Sequence, residues 1–216
     1  MKFRRYSFFL GALMFFFLAA GSLQAQVIFK LTVKNLTDYE ISPGGYVVHD
    51  SSFQLYRTGQ PAPSSIKSLC ESGHTMDFLY YVRRKKAGIR NAFSFAGGLP
   101  PKGEASILFK ASRRYPLLSF AHKISFTDDT CTGTNNLQLF DSDFSPLKSV
   151  IKVKAFDAGT LKNIKLFPPK SRILAQFNWN YWKEYELNPP EPIAASPIFN
   201  DRDILQVIVE PYKYKP

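Results

Sequence analysis

Two short acidic stretches hold the side chains best suited to chemistry. One reads Thr127-Asp128-Asp129-Thr130-Cys131-Thr132-Gly133, the other Ala155-Phe156-Asp157-Ala158-Gly159-Thr160-Leu161-Lys162-Asn163. A single predicted strand, Val150 to Phe156, separates the two turns. Carboxylates in such turns have two uses. They can close the turn by accepting hydrogen bonds from their own backbone. Alternatively they offer oxygens to a hard cation, which gathers several from carboxylates, carbonyls and water.

Other reactive residue types support less. A hydrolase needs a nucleophile, a base and an orienting acid. The three histidines are His49, His74 and His122, and no G-x-S-x-G elbow is present. The chain is therefore read as non-enzymatic. His122 beside Lys123 reads as a sheet-face residue. Cys70 and His74 are four apart, but no further ligands follow at a zinc spacing. The densest basic run is Arg83-Arg84-Lys85-Lys86, preceded by Tyr80-Tyr81 and followed by Arg90; Arg113-Arg114 is a second. The first run reads either as a charged hairpin tip or as a contact for an anionic glycan or membrane surface. Interleaved cations and aromatics also suit nucleic acid, but an exported chain does not meet it. Trp179, Tyr181, Trp182 and Tyr185 read as core packing rather than a sugar platform.

Export is expected from the N-terminus. Lys2, Arg4 and Arg5 precede an apolar run, Phe8 to Gly21, and a small-residue cleavage region ending at Ala25. This order is that of a signal peptide, and the run is shorter than the roughly 20 residues that span a bilayer. Residues 26–216 then form one domain, secreted or extracytoplasmic, in the periplasm or cell envelope if the source is Gram-negative. Loss of the leader's three basic residues lowers the formal charge from +11 to +8. A positive surface either attracts anionic partners or only keeps the chain soluble. Cys70 and Cys131 are the only cysteines. An oxidising compartment makes a disulfide the default for such a pair, with two buried thiols as the alternative.

The elements that must position these residues are strands. Val27, Phe29, Leu31 and Val33 alternate with Ile28, Lys30, Thr32 and Lys34, the period of a half-buried strand. Ile151, Val153 and Ala155 alternate with lysines, and residues 204–210 give a C-terminal strand. Further strands are expected at Tyr46–His49, Met76–Val82, Ala105–Lys110, Leu117–Phe126 and Ile173–Phe177. One short helix is expected from Ser64 or Ser65 to Cys70, after Pro63. Pro and Gly punctuate the chain at sandwich-like intervals. The expected fold is an antiparallel β-sandwich of about eight strands.

Five segments in order resemble the spondin-type (spondin N-terminal) domain: Val33-Lys34-Asn35-Leu36-Thr37; Ser42-Pro43 through His49-Asp50; Phe53 to Ala62 with Leu69-Cys70-Glu71-Ser72-Gly73; and the two acidic turns. The resemblance is strongest over residues 27–165. It implies a secreted, non-enzymatic adhesion or binding module, with an unidentified extracellular protein or anionic surface as partner. It also implies a calcium site. Asp129 and Asp157 match the family's acidic positions, and Asp128 stands where the family often has Asn. Leu161 stands where the family often has Glu, which should weaken affinity. A Cys70–Cys131 bond would bring Glu71 toward Asp129 and supply a third carboxylate. The alternative readings are a metal-free structural or envelope protein and a peripheral binder of membrane or glycan.

Overall fold

The structure, a computed structural model, describes residues 26–85, 87–163 and 185–213. The leader, Lys86, the strand expected at Ile173–Phe177, and Trp179, Tyr181 and Trp182 lie outside these. In chain order the elements are β1 (Val27–Asn35), β2 (Gly45–His49), α1 (Ser64–Ser72), α2 (Thr75–Lys85), β3 (Ile89–Phe93), β4 (Glu104–Ala111), β5 (Leu117–Lys123), β6 (Thr130–Gln138), β7 (Ser149–Asp157), β8 (Ala194–Ala195) and β9 (Asp203–Pro211).

The fold is all-β with two helices. Its strands join in the order β3-β2-β5-β6-β7-β9-β1-β4, with β8 added on β7. Every neighbouring pair is antiparallel. The expected sandwich is thus realised as one curled, nearly closed sheet. β7 makes the join. Its residues Ser149–Lys154 pair with β9, a register shift follows Val153, and Ala155–Asp157 pair with β6. The alternation read in β1 sends Phe29, Leu31 and Val33 inward, where they are fully buried. They meet Tyr46, Leu118 and Phe120 of the facing layer in the main core. A second core lies where α1 and α2 cover the outer face of β2 and β5: Ile66, Leu69, Phe78 and Val82 pack on Val47, Ala121 and Cys131.

Four expectations are corrected. Met76–Val82 is not a strand but part of α2, because Phe78, Leu79 and Val82 share one buried face at helical spacing. Arg83, Arg84 and Lys85 of the basic run are therefore the last turn of a helix, not a hairpin tip. There its cations complement the helix dipole. α1 continues two residues past Cys70, until Gly73 at φ 75 caps it with its N–H on Leu69 O. β5 stops at Lys123 rather than Phe126. β3 and the polar β6 were not anticipated. Asn35, which opens an Asn-Leu-Thr sequon, is fully buried. Its Nδ2 donates to the carbonyls of Tyr39 (2.7 Å), Leu99 (3.3 Å) and Pro100 (3.0 Å).

Candidate functional site

The first acidic turn joins β5 to β6. Thr127 Oγ1 donates to Ile124 O at 2.7 Å. Asp128 Oδ1 accepts from Asp129 N at 2.9 Å and Thr130 Oγ1 at 3.1 Å. Asp128 thus closes its own turn, the use its position predicts for a short acidic side chain. Asp129 instead reaches the second turn. Its Oδ2 accepts from Thr160 N (2.6 Å), Thr160 Oγ1 (2.9 Å) and Leu161 N (3.0 Å).

The β6–β7 ladder sets Asp157 opposite Thr130, next to Asp129 in sequence. Asp157 Oδ1 accepts from Gly159 N at 2.6 Å. Gly159 has φ 68, and a Cβ there would lie 2.3 Å from Glu191 O. Only glycine holds this turn in place. Leu161 contributes its backbone N–H to Asp129, and Glu186 stands across an isolated bridge from it.

Cys70 and Cys131 are bonded, with Cα atoms 5.4 Å apart. The bond ties α1 to β6 and sets Glu71 at the same end. Glu71 Oε1, Asp129 Oδ1 and Asp157 Oδ2 are buried oxygens without a hydrogen-bond partner among the described residues. Glu71 Oε1 still has Lys67 Nζ at 3.5 Å, an ion-pair contact, while Lys67 also holds Glu186 at 2.6 Å. Burial raises the pKa of Glu71, Asp129's charge adds to the rise, and Thr160 and Lys67 oppose it. Asp157 is pushed up to about 6, first by burial and then by the charge of Asp129. Glu71 and Asp157 therefore both feel the charge of Asp129. Yet no three Asp, Glu, His or Cys side chains among the described residues are grouped closely enough to hold one ion.

Sequence reasoning missed the cation at this end. Lys123, the last residue of β5, is buried. Its ammonium donates to the carbonyls of Cys70 (2.5 Å), Thr127 (3.2 Å) and Asp128. Burial pulls its pKa down to about 8, against the attraction of Asp128, Asp129 and Glu71. The available signal was a lysine closing the apolar run Leu117-Leu-Ser-Phe-Ala-His, all within one strand.

The basic run sits elsewhere. Arg83, Arg84 and Lys85 are exposed on α2 with Met76, Tyr80 and Tyr81. Arg83 Nη2 donates to Ala92 O of β3 at 3.0 Å. Arg84 lies over the Tyr80 ring and bonds its hydroxyl at 2.5 Å. The histidines have structural partners. His49 Nε2 contacts Ser119 Oγ at 2.7 Å, but both residues are fully buried, out of reach of a substrate. His122 bonds Tyr46 and the Ser42 carbonyl, also fully buried. Asp50 closes its own turn on Ser52. Cys70, being bonded, is no zinc ligand beside His74.

A family model described as Spondin_N matches residues 44–183. The chain is also similar to Spondin-2 of Homo sapiens, 21% identical over 131 residues. That similarity covers 59% of this chain and 40% of the relative's length. The matched span contains both acidic turns, the disulfide and α2.

Proposed function

The chain belongs to the Spondin_N family, and on that premise we propose that it is an extracellular, non-enzymatic adhesion or binding module whose acidic end takes calcium. The observation that carries the calcium reading is the set of orphaned oxygens on Glu71, Asp129 and Asp157. Burying a carboxylate oxygen without a partner costs energy. A hard cation accepts such oxygens and completes its shell with carbonyls and water. Asp129 and Asp157 would hold the ion with carbonyls and water, Glu71 would add its charge from beside them rather than as a third ligand, and Asp128 would shape the turn. The bound ion would neutralise the mutual repulsion of these groups and fasten the β5–β6 turn to the turn after β7. The dispersed carboxylates and the ammonium of Lys123 favour a weak site.

Calcium titration tests this. Binding to the folded state adds ~2.7 kcal/mol when calcium reaches a hundred times its dissociation constant. Millimolar calcium should therefore raise the melting temperature, and Asp157→Ala should abolish the rise. A melting curve indifferent to calcium would defeat the proposal. Export is checked separately by sequencing the mature N-terminus, expected at Gln26; an intact Met1 in exported protein refutes it.

A second reading, contact with an anionic glycan or membrane surface, is favoured by the exposed cations and aromatics of α2. Arg84 and Lys85 are its best candidates, since Arg83 is bonded to β3. Sedimentation with phosphatidylserine vesicles, with and without calcium, tests it.

A further inference from the structure

Among the described residues the curled sheet has an open seam, where its end strands β3 and β4 face each other without pairing. The inner face shows the gap. Leu31 and Val33 of β1 are fully buried, but their register partners Ile107 and Ala105 on β4 are only half-buried. The strands are bridged only by side chains here: Phe93 stacks on Phe109 with ring centroids 5.6 Å apart. A cleft of about 340 Å³ lies beside this stack, lined by Gln26, Arg90, Asn91, Leu108, Phe109 and Lys110.

The two edges are not equivalent. β3 has α2 alongside and Arg83 on its Ala92 carbonyl. β4 pairs with β1 on one side and, among the described residues, has no strand on the other. Such an edge carries a row of unused N–H and C=O groups, a template for another strand. Leu108, on the outer face of that edge, is 49% exposed. The charges at the cleft are both positive, Arg90 and Lys110. The acid of β4, Glu104, lies six residues away, ~20 Å along the strand.

We propose that β4 accepts an extended acidic segment of another protein, which adds as a strand in the seam. The segment runs antiparallel to β4, the more stable pairing. Main-chain hydrogen bonds to β4 supply affinity, and alternate side chains supply specificity. Apolar residues of the segment cover Ala105, Ile107 and Phe109. Its carboxylates meet Arg90 and Lys110. The seam is separate from the acidic end, so the proposal stands without the calcium site.

The test uses the mature chain in chelator, which keeps its outcome separate from that of the metal. The probe is a fluorescein-labelled heptapeptide of alternating Val and Glu, followed by fluorescence anisotropy and by amide exchange of β4. Saturable binding is expected, with slowed exchange along 104–111. N-methylation of alternate peptide amides, in the register facing β4, should weaken binding at least tenfold. The Arg90→Glu/Lys110→Glu double variant changes only exposed residues; it should lose the Glu peptide at least tenfold and gain its Lys counterpart. No saturation at millimolar peptide overturns the proposal. So does binding in which both N-methyl registers match the parent peptide, which would mean charge attraction without strand addition. A chain that dimerises with its β4 amides already protected also overturns it, by making a second copy the occupant.

Discussion

The acidic end and the basic helix carry opposite charge, and they are built on opposite terms. At the acidic end the charges are buried. Asp128 and Asp129 bind backbone of two turns, Lys123 spans three carbonyls, and a disulfide holds the surrounding elements. On α2 the cations stand in water, and of Arg83, Arg84 and Lys85 only Arg83 has a hydrogen bond to another element, at Ala92 O. A buried charge must be matched by neighbours, because leaving it unpaired is expensive. An exposed charge imposes no such condition. The acidic end is therefore fixed by the fold around it, whereas the cations of the helix face can change without disturbing the fold.

The contrast is broken most severely at Lys123. Lys123→Met leaves three carbonyls and the acidic cluster without their cation, and should cost about 3–5 kcal/mol in urea denaturation. A cost no larger than that of a surface substitution would erase the distinction between the two regions. Next comes the Cys70–Cys131 bond, whose ends are 61 residues apart. Replacing both cysteines with Ser should cost about 2–5 kcal/mol and lower the melting temperature.

Asp157 sharpens the comparison through pH. Its pKa is about 6 in the folded chain against the ordinary aspartate value of 3.8, so between these the folded state holds more protons. Stability from this group is therefore greatest at low pH and is lost as pH rises through 6. In chelator at pH 7, Asp157→Asn should stabilise the chain by on the order of 2 kcal/mol, and the gain should shrink toward pH 4. His122, held down to about 4 by burial, acts in the opposite direction below 6.5. It is common to both proteins and cancels in the difference. The smallest effect on stability belongs to the helix. Arg84→Glu/Lys85→Glu should change stability by no more than about 0.5 kcal/mol, yet reduce sedimentation with anionic vesicles several-fold. A large loss of stability would show that these exposed cations are part of the architecture.

Much of the sheet was legible because one-sided burial writes a period of two. β1, β7 and β9 follow it, and so does the buried run of β2. β6 does not. Its Thr130-Cys-Thr-Gly-Thr-Asn-Asn-Leu-Gln sequence shows no alternation, because burial runs along it from a buried start to a partly exposed end instead of alternating between faces. α2 was misread because Phe78, Tyr80, Tyr81 and Val82 are residues that also favour strands; the three buried positions, not the residue types, decide it. Asp129 and Asp157 were visible as turn residues, and Glu71 through the cysteine pair. Lys123 and the β3 contact of Arg83 were not, because both depend on carbonyls that only the folded backbone brings near.

β7 gives the molecule an axis. It is one strand shared by both layers, so their relation along that side is fixed by its two ladders, with β9 and with β6. On the opposite side, among the described residues, β3 and β4 are held by side chains alone. The protein is hinged like a book, with β7 as the spine and the seam as the fore-edge. Sliding one cover past the other would tear the spine, while parting the covers at the fore-edge first disturbs the Phe93–Phe109 stack and only then the core between the layers. Slow opening of the fold should therefore begin at the fore-edge and reach β7 last.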